Sequence, residues 1–277
     1  MSSRPRRKNF IPTVSRKLLV SGIAASILAG AGLFAQAAPS VAGQASSAVS
    51  LAAADSTTNS LYAYKTHAWD GAEPVNVNGS WTFQLAAMNS APTRRRSELW
   101  WGRNGSPVSY REGSLAVFTG DLGAALGAAG KSQKDWHVLH QLIGTTYGQW
   151  KGPAVSLVVS GGELRVTGGI GHPDHGVGGR TYYWHKQLAA FNDYQRYKVR
   201  LEVFLTSNPD NGWVSAWIDG KQILDKYKPV SKQGLRPSTL YPGTPEVYAR
   251  SGLYRGTDGA TPPSYWQAAR IENVVIG

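Results

Sequence analysis

Three short stretches hold most of the side chains with which this chain could bind an anion or move a proton. They are Arg94-Arg95-Arg96-Ser97-Glu98-Leu99, Trp136-His137-Val138-Leu139-His140-Gln141 and Tyr248-Ala249-Arg250-Ser251-Gly252-Leu253-Tyr254-Arg255. Guanidinium groups pair with carboxylates, amides donate hydrogen bonds, and imidazole and phenol exchange protons. Each stretch also has a purely structural reading: Arg94 to Arg96 as a solvated basic turn, Glu98 as an internal ion-pair partner, Tyr254 as packing between sheets. Several other chemistries are excluded. The chain has no cysteine, so it has no thiol nucleophile, no Cys-ligated zinc and no disulfide framework. No Gly-x-Ser-x-Gly elbow is present for serine hydrolysis. The seven glutamates are scattered, without the closely spaced carboxylates of a glycoside hydrolase strand. His172-Pro173-Asp174-His175 has metal-ligating residue types, but no third or fourth ligand accompanies it. The glycine-rich stretch from Gly168 to Gly179 reads instead as a loop over a binding groove.

Composition narrows the ligand. Ten tryptophans and thirteen tyrosines stand beside only six phenylalanines. Many of these rings belong in a core, yet the surplus suits stacking on the C–H faces of sugar rings. The formal net charge is +12, and six of the positive charges (Arg4, Arg6, Arg7, Lys8, Arg16 and Lys17) precede an apolar run from Leu18 to Phe34 and the small-x-small site Ala35-Gln36-Ala37. A basic head, an apolar middle and such a site make residues 1–37 an export signal, by the general secretory or the twin-arginine route. The expected mature protein is secreted, keeps a moderate positive charge and meets no membrane. An acidic polysaccharide is its natural partner among carbohydrates. Nucleic acid is not expected, since no recognition motif is present.

These groups need a scaffold to position them. Residues 38–60 are almost wholly Ala, Ser, Gly and Thr and read as a flexible linker. One domain is expected over 61–277. Within it, alternating or β-branched runs recur between Gly, Pro, Asn and Asp: Trp81 to Leu85, Tyr197 to Leu205 and Ala268 to Ile276. Ala154 to Val159 and Glu163 to Thr167 flank Gly161-Gly162, and Trp213 to Ile218 and Lys221 to Leu224 flank Asp219-Gly220, two hairpin turns. Leu122 to Ala129, the one helix-friendly stretch, is too glycine-rich for a stable helix. Many strands without helices in one domain predict an all-β, two-sheet β-jelly-roll sandwich of the concanavalin A-like kind, with a concave groove.

Taken in order, the three stretches resemble the signature strands of jelly-roll polysaccharide lyases, the group that includes alginate lyases, glucuronan lyases and the heparin lyase I type. Those families carry Arg-Ser/Thr-Glu-Leu, Gln-x-His and Tyr-x-Lys-x-Gly-x-Tyr strands. The hairpin from Gly212 to Gly220, ahead of the last stretch, adds to the resemblance, and the Trp-His-Val-Leu-His-Gln stretch favours the heparin lyase I and glucuronan lyase side. The resemblance implies β-elimination on a uronic-acid polymer, with no cofactor; calcium is conceivable but nothing in the sequence asks for it. It also implies roles. Arg96 and Gln141 would meet the uronate carboxylate, Tyr254 would transfer the proton, and Arg250, at the family's lysine position, would supply local charge. Tyrosine is a poor base at neutral pH unless a nearby cation favours its phenolate. Glu98, Tyr248, His185 and Arg255 would line the substrate site, and the chain would act as a monomer.

One departure matters. Where the family has Gln-x-His, this chain has Gln141-Leu142-Ile143. In a regular strand His140 points to the other face, and His137 shares Gln141's face at a greater distance; a bulge could bring His140 round. Two readings follow. Tyr254 serves as both base and acid, which suits uronates whose H5 and O4 are syn, such as β-glucuronate; or catalysis is lost and the fold is a non-catalytic module that binds acidic polysaccharide.

Overall fold

The computed structural model describes residues 61–69, 71–87, 94–144, 152–172, 181–257 and 265–277. The expected export signal and linker (1–60) lie outside the described residues, as do Pro173 to His175 of the His-Pro-Asp-His stretch. Among the described residues, sixteen strands and one helical turn follow in chain order: β1 (Tyr62–Trp69), β2 (Val75–Val77), β3 (Ser80–Leu85), β4 (Arg94–Arg103), β5 (Ser106–Pro107), β6 (Ser109–Tyr110), β7 (Leu115–Ala125), α1 (Ala128–Lys131), β8 (Asp135–Ile143), β9 (Pro153–Ser160), β10 (Glu163–Gly168), β11 (Trp184–Ala190), β12 (Arg196–Phe204), β13 (Trp213–Ile218), β14 (Lys221–Tyr227), β15 (Val247–Thr257) and β16 (Gln267–Ile276).

They form two antiparallel sheets, a β-jelly-roll sandwich. The nine-stranded sheet runs β1-β4-β15-β8-β9-β10-β11, with β5 added to β4 and β6 to β15. The seven-stranded sheet runs β14-β13-β12-β7-β16-β3-β2. Side chains alternate between faces along a strand, so every second residue can enter the space between the sheets. In β12 these are Tyr197, Val199, Leu201 and Val203; in β4 they are Ser97, Leu99 and Trp101. The apolar ones among them form one continuous core with Phe83, Phe118, Leu157 and Ile271.

The turn chemistry explains the hairpins. Asp219 and Gly220 both take positive φ (52° and 82°), as do Gly161 and Gly162 (62° and 75°). This handedness matches the twist of the flanking strands. The stretch Leu122 to Ala129 divides: its first half ends β7, at the centre of the seven-stranded sheet between β12 and β16, and only α1 is helical. Ala116, Phe118, Gly120, Leu122 and Ala124 are all buried, at two-residue spacing, and that periodicity wins over any helical tendency. Arg94 to Arg96 open a strand rather than a turn.

Candidate active site

β4, β15 and β8 are neighbours at the middle of the nine-stranded sheet, and their register brings the three motifs together. Opposed residues of antiparallel strands share a face. Arg96 opposes Tyr254, Trp100 opposes Arg250, and Arg250 in turn opposes Gln141. All of these, with Glu98 between Arg96 and Trp100, lie on the outward face, away from the other sheet. Gly252 sits beside Glu98 on that face. Its φ is 154°, and a Cβ there would lie 2.6 Å from the Glu98 Cα, so only glycine lets the two strands pack this closely.

A connected polar network runs through this face. The Arg96 guanidinium stands 4.2 Å over the Tyr254 ring and 3.5 Å from a carboxylate oxygen of Glu98. The other Glu98 oxygen accepts a 2.5 Å hydrogen bond from the Gln141 amide. Arg250 stacks on the Trp100 ring at 3.8 Å, and Trp100 packs against Tyr248. The Tyr248 hydroxyl hydrogen-bonds Glu246. Tyr254 is 7% exposed, its ring held edge-to-face by Trp136 and packed on Val138 and Val158. No described residue hydrogen-bonds its hydroxyl.

Burial sets the electrostatics. It raises the Glu98 carboxyl above the ordinary range, against the opposing pull of Arg96, Arg250 and the Gln141 hydrogen bond. Burial also brings Arg250 down to about 10, with Glu98 working against it and Arg96 adding to it, so Arg250 remains charged at neutral pH. Two guanidinium N–H groups, Arg96 Nε and Arg250 Nε, are buried without a hydrogen-bond partner among the described residues. Such donors are costly unless something arrives to accept from them.

Two expected site residues lie elsewhere. His140 stacks on Phe118 of the opposite sheet (4.0 Å between ring centres) and bonds Ser251 Oγ through Nδ1 at 2.8 Å. It faces the core, and burial lowers its pKa to about 3. There is a bulge in β8, between Val138 and His140, but it acts against the expected rescue. Leu139 and His140 both turn inward, so His137 also enters the inter-sheet space, where Gln267 meets its Nε2 at 2.9 Å. Arg255 follows the alternation of β15 to the inner side as well, where it is buried and paired with Asp135 at 2.9 Å. It cannot touch a substrate on the outer face. His185 is on the outer face, in one row with Gln141, Ser156 and Thr167. Three strand spacings separate it from Gln141, roughly 14 Å, so it does not join the Arg96 network.

An imidazole does reach that network. His67 of β1 opposes Glu98, and its Nδ1 lies 3.4 Å from an Arg96 terminal nitrogen. Trp69, two residues on, opposes Arg96 and is 48% exposed. Neither belongs to a motif; only the pairing of β1 with β4 reveals them.

The chain matches the polysaccharide lyase family over residues 38–268. It belongs to that family. The endo-β-1,4-glucuronan lyase of the fungus Trichoderma reesei shares the fold of this lyase, with a TM-score of 0.54 at 14% identity over 77% of this chain and 86% of that one. A marine PL7 alginate lyase from Zobellia galactanivorans aligns with it at a TM-score of 0.46 and 13% identity, over 74% of this chain and 80% of the other. No curated protein sequence matches it. The jelly-roll lyase thus presents, on one sheet face, a guanidinium, an amide and a phenol drawn from three strands distant along the chain.

Proposed function

We propose that this lyase is exported and cleaves a uronic-acid polysaccharide by β-elimination, with a glucuronan-like polymer of β-linked glucuronate as the favoured substrate. The observation that carries this reading is the Arg96 guanidinium, which touches both the Tyr254 ring and Glu98 while Glu98 holds Gln141. A uronate carboxylate placed over Arg96 would have its charge neutralised there, which acidifies the neighbouring C5–H. The C5–H bond then breaks with its proton passing to the Tyr254 oxygen, which takes it in the phenolate form and becomes the hydroxyl. The released electron pair forms the C4=C5 double bond as the C4–O4 bond breaks, and the same hydroxyl returns its proton to O4 of the leaving sugar. A single group acting twice from one side fits a substrate with H5 and O4 syn. The Arg96 and Arg250 guanidinium groups, on one sheet face, supply positive charge for the acid group. Export rests on the basic-apolar-small pattern of residues 1–37.

The test is to incubate purified protein with glucuronan, alginate, heparin and hyaluronan and follow the ultraviolet absorbance of the unsaturated product. A rise on glucuronan that exceeds the others is expected. No rise on any of them rejects cleavage of these polymers. Ile143, which stands where the family has histidine, favours a second reading in that event: a module that is retained on immobilised acidic polysaccharide without cutting it.

A further inference from the structure

We infer that His67 is the working imidazole of this site, and that it serves as a neutral hydrogen-bond donor to the uronate carboxylate rather than as the base. The inference rests on the proposed uronate substrate.

The geometry assigns the ring's two nitrogens. Nδ1 faces an Arg96 terminal N–H at 3.4 Å. Arginine carries only donors, so Nδ1 must accept, and a neutral imidazole with a lone pair on Nδ1 has its hydrogen on Nε2. The lone pair that a base would need is already engaged with Arg96. What the ring offers a ligand is an N–H, adjacent to the cation on which the carboxylate would rest. Protonating the ring would set an N–H against the arginine's own N–H. The charged groups around it act in the same direction. Burial lowers its pKa, and so do Arg96 of β4, Arg250 of β15 and Lys65 of its own strand; Glu73, just after β1, opposes them. Glu98 of β4 is its direct cross-strand neighbour. The ring is therefore neutral at pH 7. A neutral donor that polarises without exchanging a proton is a known way to stabilise developing charge.

The donor assignment and the base assignment part company on substitution. Glutamine at this position keeps an N–H donor near the place of Nε2 but has no titratable nitrogen. His67→Ala and His67→Gln are compared with the wild-type chain on whichever uronate polymer the wild type cleaves. His67→Ala is expected to lower kcat/KM about 10- to 100-fold, the usual loss for a hydrogen bond to a charged group. His67→Gln should recover to within about threefold of wild type, with the acidic limb of the pH–rate profile unmoved. Thermal midpoints of both variants should stay near that of the wild type, since His67 is only half-buried. Wild-type rates in His67→Ala would overturn the inference. So would a His67→Gln as inactive as His67→Ala with activity restored by free imidazole, which is the behaviour of a base. If the wild type cleaves no uronate polymer, the lyase reading fails separately, and retention on immobilised glucuronan decides this one: weakened by Ala and restored by Gln supports it, equal retention of all three overturns it.

Discussion

The guanidinium carbon of Arg96 lies over the phenol ring of Tyr254, 4.2 Å from its centre, because β4 and β15 oppose these two residues in register. A cation over a ring face is attracted to its π-system, and here it also fixes the spot where an acid group of a sugar must sit relative to the hydroxyl. Carboxylate binding and proton transfer are thereby held in one geometry by two adjacent strands.

Tyr254→Phe removes the hydroxyl and leaves the ring under Arg96 and against Trp136. Turnover should fall by about 10²- to 10⁴-fold, the range for losing a general acid–base group. Retention on immobilised polymer and the thermal midpoint should change little. Wild-type turnover in this variant would remove Tyr254 from the mechanism.

Arg96→Lys keeps the charge and loses the planar fork that reaches Glu98, His67 and the Tyr254 face at once. A compact ammonium cannot hold these contacts and cover the ring at the same time. A loss of about 10²-fold in kcat/KM is expected, corresponding to roughly 3 kcal/mol of transition-state stabilisation. Steady-state kinetics on the preferred polymer measures it.

Trp69→Ala takes an exposed ring from the position opposite Arg96. If the ring is a platform for a sugar beside the cleavage point, KM should rise about three- to tenfold with kcat unchanged, in keeping with the value of one aromatic contact. An unaltered KM would mean that the polymer does not cross β1.

Acid should loosen the fold through two histidines that take no part in the chemistry. Burial holds His140 at about 3 and His137 at about 4, both below the ordinary 6.5. Their neutral forms are favoured in the folded state, so the unfolded chain binds the extra protons. Stability is full above pH 6.5 and falls as pH drops from there toward 4, by up to about 1.4 kcal/mol per pH unit for each ring. Glu98 acts with the opposite sign, since its raised pKa favours the folded state as pH falls through it. His140→Leu should flatten the acid loss and leave activity at neutral pH untouched. Urea titrations between pH 7 and pH 4 make the comparison.

Much of the scaffold was legible because alternation is a local property. Tyr197 to Leu205 and the hairpins around Asp219-Gly220 and Gly161-Gly162 announce strands without reference to the rest of the chain. The three motifs were legible through their resemblance to the signature strands of jelly-roll lyases, and the nine-stranded sheet sets Arg96, Gln141 and Tyr254 on one face. What escaped was relational. The bulge in β8 has no turn residue to mark it, yet it reverses the face of His137 and keeps His140 inward. Arg255 was expected at the substrate although simple alternation along β15 sends it inside with Asp135. His67 lies in Tyr-Ala-Tyr-Lys-Thr-His-Ala-Trp, a stretch with no chemical pattern, and only the non-local pairing of β1 with β4 makes it a neighbour of Glu98.

That pairing has a further effect. β1 ends the path of the nine-stranded sheet and is hydrogen-bonded to β4 alone, and most of its residues are exposed. A ribbon anchored along one border opens at a lower free energy than the interior of a sandwich. Because it carries both His67 and Trp69, gentle warming should silence the enzyme while the rest of the sandwich is still intact, so inactivation should precede the melting of the core.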